Sequence, residues 1–152
     1  MKKAYITGAT GAIGMALVGE LLKNGISTTV FLRKGSGRNE RVKDSFSVEL
    51  ASGLLRIEYA SLEELSGYAL SRNTQDMQTY VSQDVLTKAA GGADTAVFYH
   101  LGWGGTFGEQ RNDADMQQKN VEYTLDAVRL AKRLGCVHFI GVGSQAEYGR
   151  FD

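Results

Sequence analysis

The chain has 152 residues with 17 basic and 17 acidic side chains, so its formal net charge is zero. This balance excludes the strong basic field of a typical nucleic-acid-binding domain, and no apolar stretch approaches the roughly 20 residues that a membrane-spanning helix requires. The length suits one domain and the single Cys136 excludes an internal disulfide, so we expect a cytoplasmic protein without nucleic-acid or membrane partners.

The first predicted unit is a strand over residues 3–7 followed by a helix over residues 11–23. Ile13, Leu17 and Leu21 recur every four residues, which predicts a buried stripe along this helix. The dipeptide Asn24-Gly25 is a typical C-terminal stop. A strand joined to a helix in this way favours the first part of a βαβ unit.

Three more strand patterns follow in the middle of the chain. Residues 27–32 are rich in β-branched side chains, and residues 54–59 are expected to form a third strand. Residues 96–101 are continuously apolar in character, which is typical of a strand covered on both faces. Residues 33–39 form a polar loop after the second strand. Residues 66–92 are polar and poorly periodic, so we expect an insertion that carries one helix.

The last third of the chain predicts a long helix over residues 115–134 and a fifth strand over residues 137–142. Val121, Leu125, Val128 and Ala131 are spaced as one buried helical face, and Gly135 is the expected stop. The alternation of strands and helices predicts an α/β fold. We expect a Rossmann-type, doubly wound parallel sheet of about five strands, in one dinucleotide-binding domain over residues 1–152.

A glycine-rich turn joins the first strand to the first helix, with the spacing Gly-x-x-Gly-x-x-Gly. Glycine permits a tight turn and a close approach of a ligand, and the free N–H groups of the helix N-terminus favour an anion. An ordinary tight turn is the alternative interpretation. The position between strand and helix predicts a pyrophosphate site formed by Gly8, Thr10, Gly11, Ala12, Ile13 and Gly14.

Four segments of the chain together resemble the N-terminal part of an extended short-chain dehydrogenase/reductase, a family of NAD(P)-dependent epimerases, dehydratases and reductases. They occur in the order that the family shows, and they span the whole chain. The segments are Thr7-Gly8-Ala9-Thr10-Gly11-Ala12-Ile13-Gly14, Val97-Phe98-Tyr99-His100-Leu101-Gly102, Asn120-Val121-Glu122-Tyr123-Thr124 and Gly143-Ser144-Gln145-Ala146-Glu147-Tyr148-Gly149.

The residues after the second strand distinguish between the two nicotinamide cofactors. An acidic side chain there would bind the ribose hydroxyls of NAD, whereas a basic one favours the 2′-phosphate of NADP. This chain has Arg33 and Lys34 at that position and Arg38 close behind. Arginine suits phosphate because its guanidinium binds two oxygens at once. We therefore predict NADP(H) as cofactor, with NAD less favoured and a solvated surface loop as the alternative.

The resemblance implies further cofactor contacts on the neighbouring strands. Family members often carry Gly-Asp-Leu after the third strand, where the aspartate faces the adenine amine, but here Ser61 replaces the aspartate before Leu62. The serine hydroxyl and Leu62 are expected to keep the adenine contact. The resemblance also assigns Leu101, Gly102 and Asn120 to the cofactor site.

No metal site is predicted from the two histidines of the chain. Because His138 is the only other histidine and no cysteine or acid stands at ligand spacing, His100 is expected to be a packed strand residue.

Ser144 is the predicted catalytic residue. It follows the fifth strand, where doubly wound sheets bind ligands, and a turn or N-cap serine is the alternative. The resemblance implies that Ser144 hydrogen-bonds the reacting hydroxyl or carbonyl of the substrate and that Tyr148 lies in the pocket wall. The family's general acid/base is a tyrosine in Tyr-x-x-x-Lys, and no tyrosine of this sequence has a lysine four residues on. We therefore expect half of a catalytic site, with the C-terminal substrate domain absent.

Two functions follow as hypotheses. The first is the NADP(H)-binding part of an epimerase, dehydratase or reductase that acts on a nucleotide sugar or a related carbonyl compound. The glycine-rich loop of residues 102–108, with Trp103 and Phe107, would then lie beside the substrate. The second is a non-catalytic NADP(H)-sensing or regulatory protein, because the site and not the fold determines function. A homodimer could cover part of the apolar surface expected beside the fifth strand.

Overall fold

The computed structural model describes residues 1–71, 95–106 and 108–143 of the chain. Five strands and five α-helices lie within these ranges, together with short 3₁₀ turns at Leu62–Glu64 and Gly108–Asn112. The strands are β1 (Lys3–Thr7), β2 (Ser27–Leu32), β3 (Leu55–Tyr59), β4 (Ala96–His100) and β5 (Cys136–Gly141). The helices are α1 (Ala12–Lys23), α2 (Asn39–Ser45), α3 (Ser47–Ala51), α4 (Leu65–Ser71) and α5 (Ala114–Arg133).

All five strands pair in parallel in the order β3-β2-β1-β4-β5. Ile6 in the central strand pairs with Val30 on one side and with Tyr99 on the other. The order of the strands reverses between β1 and β4, and in open parallel sheets ligands bind beyond the carboxyl ends of the strands at such a point. The predicted doubly wound, five-stranded parallel sheet is confirmed.

The sheet has an apolar core on each face. On the face covered by α1, Ile6, Val18 and Val30 have no exposed surface. On the face covered by α5, Phe98 is fully buried and stacks between Phe31 and Phe139, with ring centroids 6.0 Å and 5.7 Å apart. Burial on both faces explains why β4 in particular is a nearly continuous apolar run.

The stripe predicted for α1 is only partly correct. Leu21 is buried and Leu17 packs against the core, but Ile13 lies in the first turn of the helix and is 66% exposed. Steps of four residues advance about 40° around a helix with 3.6 residues per turn, so a strict four-residue repeat drifts off the buried face. Val18 and Leu22 complete the packed side of the helix.

The predicted face of α5 is wrong except at its last position. Val121, Leu125 and Val128 are 50%, 49% and 42% exposed, whereas Ala131 is buried. Because successive residues lie about 100° apart on a helix, the residues next to this stripe face the sheet instead. The packed face contains Asn120, Ala127, Leu130 and Ala131.

The segment between β2 and β3 contains two helices, α2 and α3, that the sequence did not predict. Val42 of α2 has no exposed surface, so this segment contributes to the core. In the predicted 66–92 insertion, α4 covers the beginning, and residues 72–94 lie outside the described residues. Within the described ranges, none of the helices combines the length and apolar character needed to cross a bilayer.

Cys136 begins β5 and is partly buried, and burial raises the pKa of its thiol to about 11. The thiol is therefore protonated near neutral pH, which fits a packing role and not a reactive nucleophile.

Candidate functional site

A cleft of about 680 Å³ lies at the carboxyl ends of the strands. It is bounded by the turn after β1, the loops after β2, β3 and β4, and part of α5. The cleft brings together nine of the predicted site residues, namely Gly8, Thr10, Gly11, Arg33, Arg38, Ser61, Leu62, Leu101 and Gly102. The predicted residues Ala12, Ile13, Gly14, Lys34 and Asn120 do not line it. The predicted Ser144, Tyr148 and Phe107 lie outside the described residues.

The three glycines of the turn have different structural roles. Gly8 has a positive φ of 74°, and a Cβ added there would lie 2.5 Å from the carbonyl carbon of Leu101. A Cβ on Gly14 would collide with the backbone of Gly8 and Ala9. Gly11 is the N-cap of α1 with φ of −75°, and its added Cβ would make only an ordinary contact. Gly8 and Gly14 therefore allow close backbone packing, and Gly11 lies at the open N-terminus of α1.

The loop after β2 gives the cleft a basic, polar end. Arg33, Ser36 and Arg38 line it together with Asn39, which is only 4% exposed. The Asn39 Nδ2 donates a 2.9 Å hydrogen bond to the carbonyl oxygen of Arg33. Its Oδ1 is buried without a partner among the described residues. An unpaired buried acceptor costs about 1–3 kcal/mol, so a donor from a bound ligand, such as a ribose hydroxyl, would fit there.

Lys34 borders a smaller recess next to this basic end. Lys43 lines the same recess, where its Nζ makes a 2.8 Å ion pair with Glu40 Oε1. The hydrogen bond to Glu40 raises the pKa of Lys43. The charge of this ammonium group is thus paired with the Glu40 carboxylate. Of the three predicted basic residues, Arg33 and Arg38 therefore line the main cleft, whereas Lys34 lines the smaller recess.

Ser61 begins the 3₁₀ turn that follows β3. Its backbone N–H donates a 2.7 Å hydrogen bond to Glu64 Oε2, and hydrogen bonds from the Ser61 backbone and hydroxyl lower the pKa of the Glu64 carboxyl. This arrangement is a capping box, in which a serine and a glutamate three residues later satisfy the free groups of a helical N-terminus. The polar groups of Ser61 are thus engaged within the turn, although the residue lines the cleft.

Asn120 holds the loop after β4 in place. Its Oδ1 accepts a 2.8 Å hydrogen bond from the Gly104 N–H, and its Nδ2 donates to the Gly104 carbonyl oxygen at 3.0 Å. Gln117 connects to the same loop, since its Oε1 accepts hydrogen bonds from Asn120 and from the indole of Trp103. The amide of Asn120 therefore positions residues that line the cleft, and Trp103 is 43% exposed at its rim.

His100 is buried at the end of β4, as a packed strand residue, between two threonine hydroxyls. Its Nδ1 lies 2.8 Å from Thr7 Oγ1, and its Nε2 lies 3.4 Å from Thr124 Oγ1. Thr124 donates its proton to the Asn120 carbonyl oxygen at 2.8 Å, so it accepts from His100 Nε2–H. Nδ1 then accepts the Thr7 proton, while Thr7 Oγ1 accepts from the Gly102 N–H at 3.3 Å. The neutral tautomer of His100 with its proton on Nε2 thus forms a hydrogen-bonded chain that runs from Thr124 on α5 to Gly102 at the cleft.

Acidification is expected to destabilise the fold through His100. Burial lowers its pKa to about 4 from an ordinary value of 6.5, so between these values the unfolded chain binds the extra proton. The stability that His100 contributes is therefore present above pH 6.5 and is lost as the pH falls towards 4. We expect His100 to account for about 2 kcal/mol of lost unfolding free energy between pH 7 and pH 4.5.

The measurement is urea unfolding of the wild type and of His100→Gln at both pH values. Other titrating groups are common to both proteins, so the stability gap between them should shrink by that amount on acidification. The exposed His138, replaced by glutamine, is the matched control. A gap that stays constant between the two pH values would show that His100 is not held neutral.

Sequence reasoning missed several residues that line the cleft, including Ser36, Asn39, Glu63, Met116 and Tyr123. Helical spacing from Asn120 would have indicated two of them, because Met116 and Tyr123 lie four residues before and three residues after it on the same side of α5. Nothing in the sequence indicated Glu63. In the described part of the chain, no three histidine, cysteine or acidic side chains come together as a metal site.

Comparison with known proteins agrees with this fold. A sequence model of the NAD dependent epimerase/dehydratase family matches residues 4–152. No curated protein matches the sequence significantly. The structure is similar to that of the enzyme WbmH from Bordetella bronchiseptica, solved in complex with NAD⁺, with a TM-score of 0.63 and 18% identity over 99% of this chain and 42% of WbmH. This chain thus spans less than half the length of WbmH.

Two further solved structures are similar in fold. A short-chain dehydrogenase/reductase from Burkholderia vietnamiensis has a TM-score of 0.55 and 17% identity, over 98% of this chain and 66% of that protein. An oxidoreductase of the short-chain dehydrogenase/reductase family from Burkholderia thailandensis has a TM-score of 0.55 and 14% identity, over 99% and 54% of the respective chains.

Proposed function

Because the chain belongs to the NAD dependent epimerase/dehydratase family, we propose that it binds NADP(H) and provides the cofactor site of an epimerase, dehydratase or reductase. We choose NADP(H) over NAD(H) because the cleft has a basic end. Arg33 and Arg38 line the cleft there, and both side chains are exposed. Residues 33–39 contain no acidic side chain that could bind the ribose hydroxyls of NAD.

The parts of the dinucleotide match successive parts of the cleft in this proposal. The N–H groups of the glycine turn at the N-terminus of α1 would hold the pyrophosphate. The loops after β2 and β3 would hold the adenosine half, and Arg33 and Arg38 would bind its 2′-phosphate. Leu101 and Gly102 after β4 would contact the nicotinamide half. The bound cofactor would supply hydride transfer, and this chain's residues bind and orient it.

We further propose a nucleotide sugar or a related carbonyl compound as the substrate. The support is family membership together with the extension of the cleft beyond Gly102, where Trp103, Gln110 and Met116 line it. Ser144 would hydrogen-bond the reacting oxygen of the substrate, which is the role that the resemblance to the family implies.

Calorimetric titration of the chain with NADPH and, separately, with NADH tests the cofactor proposal. We expect both to bind, with NADPH at least about tenfold tighter, because a 2′-phosphate gains charge-assisted hydrogen bonds from arginine. Circular dichroism on the same sample establishes that the chain is folded. Absence of binding to a folded chain would refute the proposal, and tighter binding of NADH would refute the choice of NADP(H).

A further inference from the structure

Trp103 lies at the rim of the cleft, in the loop that follows β4. Of the large apolar side chains that are exposed in the described part of the chain, it is the one that lines the cleft. A single exposed apolar residue is common on protein surfaces, so exposure alone does not distinguish a binding surface from an ordinary one. The contacts that hold the residue make this distinction.

Hydrogen bonds fix the backbone on both sides of Trp103. The preceding Gly102 N–H donates to the Thr7 hydroxyl at 3.3 Å. The following Gly104 exchanges two hydrogen bonds with the side-chain amide of Asn120, at 2.8 Å and 3.0 Å. Because both neighbours are anchored, Trp103 has a defined position although it lies in a loop.

The loop also packs directly on α5 after Trp103. A Cβ added to Gly105 would lie 2.5 Å from Cγ of Met116, and one added to Gly104 would lie 3.0 Å from the sulfur of the same methionine. The two glycines therefore let the loop approach the helix closely. Met116 lines the cleft as well, so the loop and the helix together form this end of it.

The one polar group of the Trp103 indole is satisfied within the chain. Its Nε1–H donates a 3.2 Å hydrogen bond to Oε1 of Gln117. Gln117 is itself held, since its Nε2 donates to the carbonyl oxygens of Gln110 and Arg111 at 3.4 Å and 3.1 Å. The indole surface that remains open thus offers an apolar aromatic face, which fits an apolar face of a ligand and not a hydrogen-bonding edge.

The proposed reaction determines which part of a nucleotide sugar would reach this surface. Leu101 and Gly102 would contact the nicotinamide half of the cofactor, and hydride transfer requires the reacting carbon of the substrate to lie against the nicotinamide. Trp103 follows Gly102 directly, so the sugar ring that carries the reacting carbon is the part nearest to it. The C–H groups on one face of a pyranose ring form a small apolar surface that matches the open indole.

We infer that Trp103 is a specificity-determining residue whose aromatic face packs against the sugar ring of the substrate, an inference that rests on the proposed function. The site then binds a nucleotide sugar more tightly than the nucleoside diphosphate alone, because the diphosphate has no ring to place on the indole. If Trp103 instead served packing alone, its removal would lower stability without changing this preference.

Tryptophan fluorescence tests the contact directly, because Trp103 is the only tryptophan of the chain. The chain is first saturated with NADP⁺, whose binding is followed by calorimetry and whose absorption does not overlap the indole emission. UDP-glucose, dTDP-glucose and GDP-mannose are then titrated, each against its nucleoside diphosphate. We expect at least one nucleotide sugar to move the emission saturably to shorter wavelength, as the ring loses contact with water, and its diphosphate to leave the emission unchanged.

Calorimetry of variants with the same nucleotide sugar separates binding from packing. Trp103→Ala should bind it about tenfold more weakly and lose the preference over the diphosphate, because the aromatic contact is removed. Trp103→Phe keeps an aromatic face and should lose no more than about threefold. Tyr59→Ala is the matched control, since Tyr59 is 45% exposed but lines the smaller recess and not the cleft. It should keep the wild-type preference.

Saturable binding of a nucleotide sugar with unchanged emission would overturn the inference, as would an equal shift with the diphosphate alone. A preference that survives in Trp103→Ala would assign Trp103 to packing at the rim. Failure of all these nucleotide sugars to bind the NADP⁺-loaded chain would also overturn the inference but leave the cofactor proposal intact. Failure of NADP⁺ itself to bind would refute the proposed function.

Discussion

Replacing Gly8 with alanine is expected to destabilise the fold by about 3 kcal/mol and to weaken cofactor binding at least tenfold. Two costs add at this position. A left-handed backbone costs a non-glycine residue about 1–2 kcal/mol, and Gly8 has φ of 74°. The new methyl would also lie 2.5 Å from the Leu101 carbonyl carbon and 2.7 Å from the Gly102 nitrogen, and overpacking of this kind costs about 1–3 kcal/mol.

The collision is with backbone atoms, so no side chain can rotate away to relieve it. Leu101 and Gly102 would have to move, although the Leu101 N–H donates to the Thr7 carbonyl oxygen and the Gly102 N–H donates to the Thr7 hydroxyl. Movement would therefore disturb the same hydrogen-bonded chain that leads through His100 to α5. The two strand ends that flank the cleft would separate, which is why binding and stability should fall together.

Gly11→Ala is the matched control, because it adds the same methyl to the same turn. Gly11 has φ of −75°, and its Cβ would meet only the Gly8 carbonyl oxygen at 3.5 Å. We expect a stability loss of about 0.5–1 kcal/mol, the usual cost of alanine at an N-cap. Urea unfolding gives the stabilities, and calorimetry with NADPH gives the affinities. Equal stabilities for the two variants would show that the glycine turn is not packed as described.

The sequence was sufficient to predict the order of the five strands and of the two longest helices, α1 and α5, because apolar runs, the clearest of which is β4, alternate with helically periodic segments. Such runs arise when both faces of a parallel strand are covered, and they need no knowledge of distant contacts. The turn after β1 was predictable for a related reason. Its glycines are required by local backbone geometry, at Gly8 by a positive φ and at Gly14 by contact with the preceding turn.

The buried face of α5 could not be predicted in the same way. Its packed side contains Asn120 and two alanines, Ala127 and Ala131, because α5 lies close to the sheet and its loop requires an amide. The large apolar residues Val121 and Leu125 are exposed. Apolar periodicity identifies a helix reliably, but here it does not identify the side that faces the core. A small or polar residue at a buried position carries no such signal.

The candidate site was predictable where backbone geometry or charge determines it, and not where side chains from distant segments meet. Arg33 and Arg38 follow directly from their place after β2. The contact between Tyr123 and Glu63 joins residues 60 positions apart, and the buried Asn39 oxygen becomes visible only when the loop is folded. Interactions of this kind depend on tertiary structure, so a single sequence does not contain an independent signal for them.

Replacing both Arg33 and Arg38 with alanine is expected to weaken NADPH binding about 30- to 100-fold and to change NADH binding less than about threefold. The 2′-phosphate would lose the charge-assisted hydrogen bonds that each guanidinium donates. Such hydrogen bonds contribute about 1–3 kcal/mol, and solvent screening reduces this contribution at an exposed site. NADH has no 2′-phosphate and loses little. The fold should remain intact, since both side chains are exposed and Asn39 binds the backbone oxygen of Arg33, which alanine retains.

Arg41→Ala is the control, because Arg41 is an exposed arginine of α2 that does not line the cleft. Calorimetry with both cofactors at low and at physiological salt completes the measurement. Screening by salt should reduce the preference of the wild type for NADPH and leave the double variant almost unaffected, because only the wild type attracts the phosphate by charge. Equal losses for NADPH and NADH would show that the arginines support the loop and do not bind the phosphate. No loss for either cofactor would assign Arg33 and Arg38 to a solvated surface loop, and the preference between cofactors would then have to come from Ser36 and the unpaired oxygen of Asn39.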